Sequence, residues 1–211
     1  MTNINQQQTT AATGKPKGRL TLIAIFVIAF VPMALATYMY FNQVLVPSGR
    51  TNNGAMMLPP LAFDELDLSS MSDERLSIDD TQKKWVMITL ADGVCEQTCV
   101  DALYKTRQVN VALHKESDRV IRYLVMASVE GIPELDKRVK KEYPLLHLAK
   151  AEKYHLKAYL DQKLDANEAL AKSYILIVDP IGNIMMYYTP ANSGKDILED
   201  LKRLLKVSQI G

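Results

Sequence analysis

The chain has 211 residues with 25 Lys and Arg against 24 Asp and Glu, a net charge of +1. No bulk field therefore draws it to nucleic acid, and the length suits one ordinary domain with additions. Its two cysteines can form one disulfide or hold one soft metal ion, but not a disulfide scaffold or a four-thiolate zinc site.

Residues 1–14 are polar, rich in Asn, Gln and Thr, and without hydrophobic period, which predicts disorder. The polar leader, residues 1–19, closes on Lys15, Lys17 and Arg19. Residues 20–41 then carry no charge. At 1.5 Å per residue such a helix reaches roughly 33 Å, enough for a bilayer core of about 30 Å. Tyr38, Tyr40 and Phe41 sit at its far end, where aromatic rings favour the headgroup region. Pro32 predicts a kink, which membranes tolerate. Residues 20–42 thus read as one retained transmembrane anchor. A cleaved signal peptide is the rival reading, because Ala34-Leu35-Ala36 resembles a cleavage site. The basic leader puts the N-terminus in the cytoplasm and the rest outside it. A leader without an Arg-rich amphipathic pattern favours the bacterial inner membrane, with the C-terminal part in the periplasm.

Residues 43–81 read as an acidic tether. Ser48, Gly49, Asn52, Asn53, Gly54 and Pro59-Pro60 break regular structure. Asp64, Glu65, Asp67, Asp73, Glu74, Asp79 and Asp80 stand against Arg75 alone. They suit a solvated linker with one or two edge strands, or a docking surface for a basic partner.

Residues 82–211 read as the folded domain. The apolar run 85–90 predicts a strand buried on both faces. A turn at Ala91-Asp92-Gly93 leads to Cys95 and a helix over 96–115. A second strand covers 120–126. Pro133 opens a short helix that Pro144 ends. Residues 145–148 are too short to assign, and 151–170 have helical composition. Residues 174–178 predict a central strand. Asp179-Pro180-Ile181-Gly182 has the residues of a turn, and 184–188 returns as the hairpin partner. Ser193 and Asp196 predict a capping box for a last helix with Ile197, Leu198, Leu201, Leu204 and Leu205 on one stripe. A β-α-β unit joined to a β-β-α unit is the thioredoxin layout, an α/β fold preceded by one membrane helix.

Cys95 and Cys99 are four apart, so on a helix their sulfurs can meet as a disulfide or pinch one ion. A helix N-terminus stabilises a thiolate, which is both nucleophile and metal ligand, while Glu96 works against it. Two thiolates suit Cu(I). A structural staple is the alternative.

The run KKWVMITLADGVCEQTC, followed by YILIVDPIGNIMMYY and an amphipathic helix, resembles the Sco/SenC family. That resemblance implies a membrane-tethered thioredoxin fold that helps load copper into cytochrome c oxidase, and gives Cys95 and Cys99 the role of copper-binding thiols. It implies an oxidase subunit or another assembly factor as partner. The chain departs from the family at Val100, where a proline is usual. It also departs at Leu170-Ala171-Lys172-Ser173, which lacks the family's histidine ligand and the proline of thioredoxin-type reductases. His114 lies about 22 Å along the helix from Cys99, too far to replace it. His147 and His155 read as surface residues, and Met126, Met185 and Met186 as core, so no third ligand is assigned. Three functions follow: an oxidase assembly factor handling copper or copper-site thiols, a periplasmic thiol–disulfide oxidoreductase, and a binding module with a structural disulfide.

Overall fold

A computed structural model describes residues 17–42, 52–128 and 141–208. The chain divides into two units, Met1–Arg50 and Thr51–Gly211. Most of the polar leader, the stretch 43–51 and the start of the helix expected from Pro133 lie outside the described residues.

In the first unit, α1 spans Lys17–Asn42 with Pro32 inside it. Residues 18–39 are long and apolar enough to cross a membrane. Apolar side chains ring the helix on every side, as lipid would require and a one-sided soluble helix would not.

The second unit is a six-stranded mixed sheet. Its strands are β1 (Ala55–Ala62), β2 (Trp85–Ala91), β3 (Val120–Met126), β4 (Leu146–Lys150), β5 (Ile175–Val178) and β6 (Asn183–Tyr188). Their order across the sheet is β1-β6-β5-β2-β3-β4. β2, β3 and β4 run parallel, and β5, β6 and β1 add antiparallel pairs. Every residue of β2 is buried, as its unbroken apolar run requires.

The helices are α2 (Gln97–Ala112), α3 (Lys153–Leu160), α4 (Ala166–Ala171) and α5 (Gly194–Val207). One face of the sheet packs on α2 and α5 through Trp85, Met87, Val109, Ile197 and Leu201. The other packs on α3 and α4 through Ile88, Leu156, Leu160 and Leu170. β2-α2-β3 and β5-β6-α5 form the expected thioredoxin layout, with β1 and β4 added at the edges.

Several expectations are corrected. The fold begins before residue 82: β1 pairs with β6, and Met57, Leu61, Phe63, Leu66 and Leu68 are buried. Pro59 and Pro60 sit in β1 because it is an edge strand, where a missing N–H costs no ladder bond. The acidic residues that follow act as local fasteners. Asp64 accepts the N–H of Ile78 at 2.8 Å, and Asp80 that of Ser77 at 2.8 Å. Asp73 pairs with Lys150. Residues 151–170 form two helices, because Asp165 caps α4 through the N–H of Glu168 and Asp161 accepts that of Ala166. Residues 145–148 belong largely to β4.

The remaining signals match. Asp179 accepts the N–H groups of Ile181 and Asn183, and Gly182 takes φ +95° in the β5–β6 turn. Ser193 and Asp196 form the capping box of α5.

Candidate functional site

The end of β2 delivers the chain into a turn at Asp92-Gly93. Gly93 has φ +137°, a backbone region that side chains disfavour. Lys153 at the start of α3 pairs with Asp92 and holds this turn from the opposite face. Cys95 follows, then Glu96 as the N-cap of α2, with no side-chain cap bond. Cys99 is the third residue of the helix.

Cys95 and Cys99 are joined as a disulfide, with Cα atoms 5.2 Å apart. Cys99 is buried against Ala91, Leu103, Leu124 and Met126. Cys95, one residue ahead of the cap, is half-buried. The pair thus has a sheltered member at the positive end of α2 and a more accessible member in the preceding loop. Cys95 thus precedes the helix.

A cleft of about 370 Å³ borders the disulfide; Asp92, Glu96, Thr98, Cys99, Ser128 and Ser173 are among its lining. Ser173 was not singled out from sequence. It has φ +51° at the C-terminus of α4, where its N–H donates to the Leu170 carbonyl and the next N–H, of Tyr174, to that of Ala169. That pair of bonds is a Schellman motif, which usually carries glycine at this position. The only sequence signal was a helical run ending just before an apolar strand.

The three histidines stand apart from this cleft. His155 bonds the Glu65 carbonyl through Nε2 at 3.0 Å. His147 lies on β4 with its ring 5.2 Å from that of Tyr123, and desolvation together with the Arg122 charge holds its pKa below the ordinary value. His114 opens the 3-10 turn after α2. Met126 and Met186 are core residues, and Met185 packs against the core. Once reduced, the two thiols offer two soft ligands for copper, but among the described residues no histidine or methionine lines the cleft beside them. The donor set beside the cleft therefore fits a dithiol–disulfide pair, and falls short of a three-ligand copper centre.

Residues 85–208 match the family described as transmembrane-like, thioredoxin-like, C-terminal domain. The chain belongs to this family. Residues 13–43 match a companion family, transmembrane-like, N-terminal domain. A search among curated proteins finds no match.

Solved structures share the family's fold. Apo Sco1 from Thermus thermophilus superposes with a TM-score of 0.56 at 14% identity, covering 74% of this chain and 99% of that one. ScoI from Arabidopsis thaliana with copper bound gives 0.54 at 12% identity, over 71% and 98%. BsSco gives 0.52 at 16% identity, over 71% and 97%. At such identities the likeness is one of fold: a diverged, Sco-like thioredoxin fold preceded by a membrane-type helix.

Proposed function

We propose that this chain is a membrane-anchored thiol–disulfide protein that assists cytochrome c oxidase assembly by acting on the thiols of its copper site. The carrying observation is the Cys95–Cys99 disulfide at the head of α2, with Cys95 half-buried in the preceding loop and Cys99 lining an open cleft. BsSco, whose fold this chain shares, is described as having a disulfide switch and as a member of a family of cytochrome c oxidase assembly proteins. That description supports the choice of client.

In the exchange, a client thiolate attacks Cys95 Sγ, the Cys95–Cys99 bond breaks, and Cys99 leaves as a thiolate. The partial positive charge at the start of α2 stabilises that leaving group. The second client thiolate then attacks the client sulfur of the mixed disulfide and releases Cys95. The client loses two electrons and two protons, and the cysteine pair gains the electrons. Run in reverse, the reduced pair reduces a client disulfide. As an enzyme the chain would be a thiol–disulfide oxidoreductase.

The anchor is residues 20–42, with leader 1–19 in the cytoplasm of a bacterium and the domain in the periplasm. Lys15, Lys17 and Arg19 before the span motivate this orientation. Changing Cys99 to Ala leaves a Cys95 thiolate that attacks a client disulfide, displaces one client thiolate and, with no second cysteine to resolve the adduct, keeps the other client sulfur in a mixed disulfide. We expect that variant of the full chain, expressed in its membrane, to trap an oxidase subunit or assembly factor as a reductant-sensitive adduct. Failure to trap a thiol-bearing client, with normal oxidase assembly in the Cys95→Ala strain, sinks the reading.

Copper as cargo is the second reading. Its motivation is the adjacency of the two sulfurs, which after reduction suit two-coordinate binding of Cu(I). About one Cu(I) per reduced chain, lost in Cys95→Ala, is the result expected; no binding under anaerobic reducing conditions excludes it.

A further inference from the structure

At the other end of the parallel strands, away from the cysteines, Arg122 breaks the apolar pattern of β3. It shares a strand face with Val120 and Leu124, and is only 4% exposed. Its Nε and Nη1 are enclosed and have no acceptor. Among the described residues no carboxylate pairs with it. Burial and the nearby Arg107 charge both push its pKa down, while Tyr143 opposes them. An arginine nevertheless keeps its proton at neutral pH, so Arg122 is a buried cation with no paired carboxylate among the described residues.

Arg122 lines a cavity of about 270 Å³. Lys84, half-buried at the start of β2, lines it too and has no ion-pair partner among the described residues. Asn110 shares the wall, with its Nδ2 donating to the Ser117 and Val120 carbonyls at 3.3 and 3.4 Å. Two carboxylates, Asp80 and Asp118, also line the cavity, but both residues are exposed. Asp80 already accepts the Ser77 N–H. Neither carboxylate forms an ion pair with Arg122 or Lys84 among the described residues.

We infer that this cavity is a binding site for a small oxyanion, a phosphate or a carboxylate, held by Arg122 and Lys84. The anion supplies the counter-charge that Arg122 lacks, and charge-assisted bonds from both cations make the contact. The site is separate from the thiol chemistry and does not depend on it.

The full chain in detergent micelles is melted against inorganic phosphate and, separately, acetate, at constant ionic strength. We expect a saturable rise in Tm with at least one anion, and the stronger of the two names the class. Arg122→Met abolishes the rise, and melts above wild type without anion because the uncompensated charge is gone. Lys84→Met weakens binding by about tenfold. A flat wild-type response to both anions, or a response that Arg122→Met or Lys84→Met retains in full, overturns the site.

Discussion

Asp200 is buried in α5; it meets Arg203 on the same helix at 3.8 Å, but the hydrogen bonds its carboxylate accepts come from other parts of the chain. Its carboxylate accepts the N–H groups of Asn53 and Gly54, at 2.8 and 2.9 Å, and the Tyr188 hydroxyl at 3.0 Å. These bonds fasten the approach to β1 onto β6 and α5. Burial, and then the Asp200 charge, push the Tyr188 pKa far above its ordinary value, so this hydroxyl stays a donor at any physiological pH. Gly54 has no room for a side chain there, since a Cβ would fall 2.7 Å from the Tyr188 ring. Asp200→Ala strands two backbone donors and one hydroxyl. It is expected to cost about 3 kcal/mol. Urea unfolding should show this as a lower midpoint with an unchanged slope. None of this was legible in the sequence, because two of the bonds join residues almost 150 positions apart.

Helix ends decide two outcomes at the scale of elements. Ser173 adopts the left-handed backbone that closes α4, a conformation costing most side chains about 1 kcal/mol. Ser173→Gly is expected to return about that much stability, read as a raised melting temperature. At the other helix, Glu152 caps α3 by accepting the N–H groups of Tyr154 and His155, at 3.0 and 2.6 Å. Those bonds hold its carboxyl below the usual carboxylate range. Its stabilisation is therefore complete above the unfolded value, near 4.5, and is lost as pH falls through the lower folded value. Glu152→Ala should melt below wild type at neutral pH, and the two curves should converge in acid. These caps also explain the misread helix. Composition over 151–170 is helical throughout, and only the side chains of Asp161 and Asp165 turn the chain between α3 and α4. Residues 145–148 carry no assignable pattern for a different reason: β4 is short, and its place at the edge is fixed by pairing with β3.

For the whole molecule, the parts legible in advance are those whose residues fix a local geometry. The buried run of β2, the Asp-Pro-Ile-Gly turn and the capping box of α5 each name their own conformation. The cysteine spacing did the same for the pair, but left disulfide and ion-binding open until the fold joined the sulfurs. Where a residue's meaning comes from a distant neighbour, as for Arg122 or the acids of residues 64–80, sequence pattern alone was mute. The cross-link closes a loop of only four residues' separation. Chain-entropy reasoning gives such a small loop about 2 kcal/mol. The Cys95→Ala, Cys99→Ala double variant should lose about that much in denaturant unfolding and keep its far-UV circular dichroism.

That small ring also limits how the two redox forms can be told apart. α2 is anchored along its length by Leu103 and Val109 in the core, so opening a bond at its tip leaves the distant sheet as it was. Any macromolecule that distinguishes oxidised from reduced chain must therefore inspect the corner by touch, since no remote surface broadcasts the difference.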